Sequence, residues 1–401
     1  MLARATALLA LCLSLAQASA QDSDPVYEGQ KVSKWIDTVQ NDSSARKRAL
    51  AIEALGQIWI VHKHKEAIPN VGRSLRVDPS AAVRAQAALV IAGLRPDDIK
   101  YAATDLVSAL GKEKESRVRK EIVLAMLKFP DVCALGLEPL AATLKDPEPA
   151  VKVAAAEAIA LAGPGSKGAA KSAAPALEPL LKDVDKAVRK AGVFALGRIQ
   201  PDGASTITET MAGMLAAEKD ADIKRELVAS LGLLGEKGPP VLKALAAALT
   251  DADDEVRRAA TRVLGTFGPA AVSVSDDLYK VFATDKVKDI RIDALRAFGS
   301  ALGPTGVKGK LDVLREQLKP DAQPDFEVRL ALVDEIAALG YEHLGADLTS
   351  SDEAVKKAAL ATIGALRGRQ ADPQVKVREA AAQAIRKIEK KPEPKKEDKK
   401  D

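Results

Sequence analysis

The residues suited to metal or thiol chemistry are few and dispersed in this sequence. The three histidines are His62, His64 and His343, and a metal held by the first two would need further ligands. Cys133 would need a neighbouring base to act as a nucleophile, and no sequence feature places one beside it. We therefore predict that His62 and His64 are solvated turn residues and that Cys133 packs as a small apolar residue. No catalytic residue, metal or cofactor is expected.

Charged side chains are numerous and recur in phase. One mostly apolar position, called position 0, returns about every 35 residues. Its occupants are Lys47, Val83, Val118, Val151, Val188, Ile223, Val256, Ile290, Val328, Val355 and Val377. A base directly follows each one, at Arg48, Arg84, Arg119, Lys152, Arg189, Lys224, Arg257, Arg291, Arg329, Lys356 and Arg378. An acid lies five residues before most of them, at Asp42, Asp78, Glu113, Asp146, Asp183, Asp251, Asp285 and Asp372.

These phased charges allow two interpretations. They form either a charged stripe for a ligand or a structural ladder, in which each base bonds acidic side chains or carbonyl groups at the turns. A pair that marks nearly every copy fits the junctions between repeats, so we favour the ladder.

The stretch from Asp251 to Gly265 predicts one amphipathic helix. Val256, Ala260 and Leu264 fall on one face at a period of 3.6 residues. Asp251 is the predicted N-cap, and Gly265 is the predicted C-terminal stop. In three copies the acid is followed by proline, which favours the first position of a helix, at Asp78-Pro79, Asp146-Pro147 and Asp372-Pro373.

A second, leucine-rich helix precedes each of these helices. Leu242 to Leu249 and Leu311 to Leu318 are examples, and Gly-Pro pairs such as Gly303-Pro304 mark the predicted gaps between units. A helix pair of this size cannot bury its apolar stripe alone, so the units must stack. The predicted fold is all-α: one elongated, right-handed α-solenoid of about ten to eleven two-helix repeats over residues 32–389. Trp35 is expected to cover its open end.

The two ends of the chain differ from this array. Residues 1–20 resemble a secretory signal peptide, with an apolar segment from Ala5 to Leu15 and a small-residue cleavage site before Gln21. Residues 21–31 are a polar lead-in, and the charged residues 390–401 predict a disordered tail. No later segment is apolar for long enough to span a membrane. The expected location is therefore exported, either periplasmic or extracellular.

Charge and composition disfavour a nucleic-acid partner. The formal net charge is only +4, far from the basic excess typical of nucleic-acid binders. Aromatic residues are 3% of the chain, so platforms for base stacking are scarce.

The phased motif, D-x4-V-R-x2-A-x3-L-G, resembles HEAT repeats, and among them the short bacterial type named after phycobilisome lyases. Asp183 to Gly197 and Asp251 to Gly265 carry it, and the resemblance covers about residues 30 to 388. Families with this repeat include scaffolds, chromophore lyases and a di-iron hydroxylase. The hydroxylase binds iron through repeated His-Glu dipeptides, and no histidine here is followed by glutamate.

Two further groups are candidates for a binding surface. The position two residues after position 0 faces away from the apolar stripe and is basic in five copies: Lys120, Lys190, Arg225, Arg258 and Lys357. They are either a broken basic stripe for an acidic partner or a solvated helix face. The aromatic residues Phe267, Tyr279, Phe282 and Phe298 are expected to pack in the core.

The function predicted from the sequence is that of an exported, non-enzymatic scaffold that binds a protein or peptide partner on the solenoid surface. It depends on analogy at the level of the fold. The alternatives are a lyase-like accessory enzyme or chromophore-handling protein, and a binder of polyanions or cell-surface polymers that would use the basic stripe.

Overall fold

The computed structural model of the protein describes residues 24–163, 166, 168–318, 322–347 and 353–389. The predicted signal peptide at 1–20 and the predicted tail at 390–401 lie outside these residues. The chain divides between Pro201 and Asp202 into two compact units, each built of stacked helix pairs. In each pair a first helix is followed by a second helix that carries position 0 and the base after it.

A short hairpin precedes the helices of the first unit. Strands β1 (Val26–Tyr27) and β2 (Gln30–Lys31) pair antiparallel, with Tyr27 opposite Gln30. Glu28 and Gly29 form the turn with positive φ values of 52° and 76°, as a two-residue hairpin turn requires. The end of the predicted polar lead-in therefore has a defined structure.

Among its described residues, the first unit contains five helix pairs. Its first helices are α1 (Val32–Asn41), α3 (Ala67–Val77), α5 (Ala103–Leu110), the broken pair α7 (Pro130–Leu135) and α8 (Leu137–Thr143), and α10 (Ala174–Leu177). Its second helices are α2 (Ala45–His62), α4 (Ala81–Ala92), α6 (Ser116–Met126), α9 (Pro149–Ala162) and α11 (Lys186–Ile199). Short 3₁₀ segments at Pro96–Tyr101, Ala169–Ala173 and Glu178–Lys182 complete the turns.

The second unit has the same plan with longer helices at its end. It contains α12 (Ser205–Ala217), α13 (Ala221–Leu234), α14 (Pro239–Ala248), α15 (Asp254–Phe267), a 3₁₀ segment (Gly268–Val274), α16 (Ser275–Thr284), α17 (Lys288–Gln317), α18 (Phe326–Asp347), α19 (Glu353–Arg369) and α20 (Val375–Glu389). The second helices are α13, α15, the start of α17, α18 and α20.

The core follows the predicted apolar stripe. Val256, Ala260 and Leu264 of α15 are fully buried, as are the equivalent Val83 and Ala87 of α4. Three of the four aromatic residues, Phe267, Phe282 and Phe298, pack in the core as predicted, whereas Tyr279 is half-buried. Tyr279 contacts Phe282 and Phe298 at ring-centroid distances of 6.0 and 5.8 Å, and Phe267 is also buried.

The helix starts lie later than the sequence predicted. Asp253, not Asp251, is the N-cap of α15, and its side chain accepts from the N–H of Val256. Ser44, Asp185 and Asp220 cap α2, α11 and α13 in the same way. The Asp-Pro prolines are likewise not the first helical residues, since α4 begins at Ala81 and α9 at Pro149. The reason is that the earlier acid serves the turn and the preceding repeat, as described below.

Two predicted boundaries near the C-terminal end are wrong. Gly303-Pro304 lies inside α17, which joins the second helix of one pair to the first helix of the next. The repeat copy at Val355 lies on α19, the first helix of the last pair, and not on a second helix. Without the copy at Val355, ten second helices remain among the described residues, five in each unit.

Among these residues, no helix is long and apolar enough to cross a membrane.

Candidate protein-binding surface

A ladder of ion pairs joins the second helices, and we call it the junction ladder. Within each unit, the base after position 0 reaches the acid at the turn of the next repeat. Arg48 pairs with Asp78 at 2.8 Å, Arg84 with Glu113 at 2.7 Å and Arg257 with Asp285 at 2.7 Å. The further pairs are Arg119–Asp146, Lys152–Asp183, Lys224–Asp251, Arg291–Asp325 and Arg329–Asp372. The structural interpretation of the phased charges is therefore confirmed.

Each ladder acid also shapes its own turn. Asp78 Oδ1 accepts from the N–H of Ser80 at 2.8 Å, and its two oxygens accept from Arg48 Nε and Nη2. Arg84 returns to the same turn and donates to the Asp78 carbonyl at 2.8 Å. One turn is thus held by the base of its own repeat and by the base of the preceding one, which fixes the stacking of neighbouring pairs.

Three of the ladder carboxylates have a lowered pKa although burial acts against their charged form. Burial acts to raise the pKa of Asp372, and hydrogen bonds from Arg329 and the N–H of Gln374 outweigh it, so this pKa is lowered. The same balance lowers the pKa values of Asp146 and Glu113. Two acids that lie at equivalent turns were not among those predicted from the sequence. Glu218 accepts from the N–H of Asp220 at 3.0 Å, and Asp325 pairs with Arg291 although it stands three residues before Val328. The five-residue spacing could have found Glu218 but not Asp325.

Gly265, the predicted stop, and the glycines at the same position of three other repeats, Gly56, Gly232 and Gly299, lie inside their helices and provide close approach instead. Gly265 is two residues before the end of α15. A Cβ atom on Gly56 would lie 2.7 Å from Val90 of the next second helix, and one on Gly232 would lie 2.8 Å from Val263. The side chain of Glu335 lies against Gly299 as that of Val90 lies against Gly56. The glycine nine residues after position 0 therefore receives the side chain at position +7 of the following repeat.

Each second helix leaves one face uncovered, which we call the second-helix face. It carries positions +2, +3, +6 and +10, which lie within about 100° around a helix. In the first unit this face carries one large apolar residue per second helix, here called the apolar row: Leu50, Leu89, Leu124, Leu161 and Phe194. Leu50 is 55% exposed and Leu89 is 51% exposed. Neighbouring second helices lie about 10 Å apart, and the five residues stand at positions +3, +6, +6, +10 and +6 along them.

The same face in the second unit is mostly polar and paired within the chain, although Leu233, at position +10 of α13, is 43% exposed. Arg262 pairs with Asp293 of the next second helix at 2.9 Å, and Ser300 donates to the Gly265 carbonyl at 3.0 Å. At position +6 this unit has Ala229, Arg262, Arg296, Asp334 and Gln383, whereas three of the five second helices of the first unit have leucine or phenylalanine there.

The five basic residues predicted as a stripe are not equivalent. Arg225 pairs with Asp222 and approaches Asp253 at 3.4 Å, and Arg258 pairs with Glu255 at 3.0 Å. Lys190 and Lys357 are exposed, and Lys120 is half-buried. Carboxylates of the chain therefore already balance two of the five charges.

A cavity of about 710 Å³ lies at the N-terminal end of the first unit. The hairpin and α1 form one wall, with Tyr27, Glu28 and Trp35. Helix α2 forms the other, with Leu50 and Glu53. Leu50 also belongs to the apolar row, so the cavity and the second-helix face are continuous.

The candidates for thiol and metal chemistry lie apart from this surface. Cys133 is fully buried, and burial raises its pKa to about 12, so the prediction of an inert packing residue is confirmed. His62 is exposed as predicted but is the last residue of α2 and not a turn residue, whereas His64 follows the helix and is half-buried. The side chain of His343 lies outside the described residues. Within the described ranges, no three His, Cys, Asp or Glu side chains are grouped to hold a metal ion.

Comparison with known proteins identifies the repeat. The family profile of HEAT repeats matches residues 32–131, 137–232 and 208–299, which is more than half of the chain. The chain belongs to the HEAT-repeat family. Repeats of this family commonly mediate protein binding. No curated protein matches the sequence.

One similar solved HEAT-repeat structure is the karyopherin Kap121p bound to the SUMO protease Ulp1p. The sequence identity is 14% and the TM-score is 0.49. The match covers 89% of this HEAT-repeat chain and 44% of the karyopherin chain, so the protein spans less than half the length of that structure.

Proposed function

We propose that this HEAT-repeat protein is an exported, non-enzymatic scaffold that binds a protein or peptide partner on the second-helix face of its first unit. The observation that carries this proposal is the apolar row. Single exposed apolar residues are ordinary on soluble proteins, but four exposed leucines and one half-buried phenylalanine on five neighbouring second helices are typical of an interaction site.

The exposed area of each residue in the apolar row indicates how the binding free energy would be shared among them. Burying the exposed half of one leucine contributes about 1 kcal/mol. No single member therefore dominates, and a partner must cover several of them and add polar contacts to offset the loss of its own freedom. A segment whose apolar side chains are spaced to match neighbouring helices would meet these demands.

The ion pairing of the second unit argues against placing the partner there. A ligand on that face would have to compete with Arg262–Asp293, Arg225–Asp222 and Arg258–Glu255 for each charge. The polyanion alternative is weakened for the same reason. The finer resemblance to the phycobilisome-lyase type of repeat, and export through the predicted signal peptide, belong to this proposal as well. Intact mass of the exported protein would test cleavage after Ala20.

Affinity capture from an extract of the host's envelope tests the proposal. The bait is residues 21–389, compared with the same bait carrying Leu89→Asp and Leu124→Asp. The matched control is Leu135→Asp, because Leu135 is 66% exposed at the end of α7 and lies off this face.

We expect one stoichiometric partner that the control bait retains and the double variant loses. A partner retained by both variants would refute the choice of face. The absence of any partner at several salt concentrations would refute the scaffold function.

A further inference from the structure

The cavity at the N-terminal end exists because the array begins there. In other repeats the residue at +7 packs against the preceding second helix, as Val90 does at Gly56. Among the described residues no second helix precedes α2, so Ala54 at +7 lines the cavity instead. The same reason explains Lys47 at position 0. Its side chain is 68% exposed, whereas Val83, at the same position of the next repeat, is fully buried.

The charges of the cavity are unevenly paired. Lys34 is bound by Asp37 at 2.8 Å, and Lys47 lies 3.5 Å from Asp42. Within the described part of the chain, neither Glu28 nor Glu53 has an ammonium or guanidinium group at ion-pair distance. Two carboxylates therefore face this cavity without a cation, while both of its lysines are already engaged.

The aromatic wall is held in place by its own hydrogen bond. Trp35 Nε1 donates to the Tyr27 carbonyl at 3.0 Å, so the indole donor is satisfied and the ring is fixed against the hairpin. Burial, and then the negative charge of Glu28, raise the pKa of the Tyr27 hydroxyl. The negative charge of Glu28, which disfavours the ionised form of Tyr27, also favours a cation beside the rings of Tyr27 and Trp35.

We propose that this cavity receives a lysine or arginine side chain of the bound polypeptide. The cationic end would lie between Glu28 and Glu53 against Trp35, and its methylene groups would contact Leu50 and Ala54. The inference rests on the proposed function, because the same polypeptide would continue along the apolar row from Leu50. The partner is thereby specified as a segment with a basic residue at the end of an apolar stretch.

Trp35 supplies a direct readout. The sequence has two tryptophans, and Trp59→Phe leaves Trp35 as the only one, at the cavity wall. The probes are Nα-acetyl-lysine methylamide and Nα-acetyl-arginine methylamide, with Nα-acetyl-norleucine methylamide as the neutral comparison and choline as a free cation. Calorimetry of the unaltered chain with the same probes covers the case in which Trp59→Phe disturbs folding.

We expect dissociation constants in the low millimolar range for the lysine or arginine probe, and binding of norleucine at least about tenfold weaker. Glu53→Gln should weaken the cationic probe about five- to tenfold. Glu121→Gln, a face residue on α6 outside the cavity, should not.

Equal binding of norleucine, no effect of Glu53→Gln, or preference for choline over both cationic probes would each overturn the assignment. These probes contain no partner protein, so the outcome is independent of the capture experiment. A positive titration without a captured partner would keep the cavity assignment and refute the scaffold.

Discussion

Arg329 and Asp372 are joined by two hydrogen bonds, from Nε to Oδ2 at 2.8 Å and from Nη2 to Oδ1 at 3.2 Å, across 43 residues of chain. Lys356 follows position 0 in the intervening sequence copy at Val355, but it is Arg329 that pairs with Asp372. The junction ladder therefore follows the packing of second helices, and α18 packs on α20 while α19 serves as the intervening first helix. Contact between repeats, and not sequence spacing, defines the rungs.

Removing one member of a buried rung should be strongly destabilising. Asp78 and Arg48 side chains are 5% and 10% exposed, so Asp78→Ala leaves a buried guanidinium without its carboxylate. We expect a loss of about 3 kcal/mol in unfolding free energy, measured by urea denaturation. The double change Arg48→Met with Asp78→Leu should cost less. An equal or larger cost for the double change would contradict this account. Asp37→Ala, at an exposed pair, is the control.

The interior glycines should respond to alanine with opposite signs. Alanine normally stabilises a helix by up to about 1 kcal/mol relative to glycine. We expect this gain for Gly364→Ala, where no atom lies within 4 Å of the added Cβ. Gly56→Ala should instead destabilise, because its Cβ would lie 2.7 Å from Val90.

Val90→Ala provides the test of mechanism. In its presence the cost of Gly56→Ala should shrink, and thermal unfolding of the four variants would measure this coupling. Additive effects would mean that the contact between Gly56 and Val90 is not the cause.

Because of the titration of Glu335, the unfolding free energy of the second unit should fall as the pH rises. Burial, opposed by Arg296 and reinforced by Asp334, raises its pKa to about 7. The folded state therefore holds a proton that the unfolded state releases near pH 4.5, so its contribution to stability falls between about pH 4.5 and 7. Glu335→Gln should then stabilise by roughly 1–3 kcal/mol at pH 8 and little at pH 5. Urea midpoints at the two pH values check this, with Glu209→Gln on α12 as the control. The same gain at both pH values would exclude titration as the cause.

The basic stripe should not bind polyanions specifically. Charge reversal at Lys190, Arg225 and Arg258 should reduce retention on heparin at low salt no more than reversal at the exposed Lys65, Lys112 and Lys145, because in-chain carboxylates already pair both arginines. A clearly larger loss for the stripe residues would restore the polymer-binding alternative.

Much of the architecture could be predicted from the sequence because the repeat is nearly exact. Val256, Ala260 and Leu264 mark the buried stripe, and Asp285 marks the rung that Arg257 occupies. The caps and stops could not be predicted in the same way. Asp251 and Asp253 are both good caps locally, and only the position of Lys224 decides that the first serves the junction. Gly265 resembles a stop until Ala297 of the next second helix lies beside it.

The candidate site was less predictable for a related physical reason. The repeat pattern identifies what is common to all units, whereas binding depends on how one unit differs from the others. The sequence drew attention to bases such as Arg225, whose partners Asp222 and Asp253 are visible only in space. Leu89 and Leu124 look like ordinary helix residues until their exposure on neighbouring helices is known.

The junction ladder has a consequence for how such a chain can change in length. Within each compact unit, the base of one repeat pairs with an acid of the next. A duplicated segment of about 35 residues, wherever its ends fall, therefore brings one complete donor and one complete acceptor to its new neighbours. Gain or loss of a whole repeat leaves each ladder charge with a partner, whereas a partial insertion leaves one charge without its partner. The ladder thereby favours growth and shortening of the array in whole repeats.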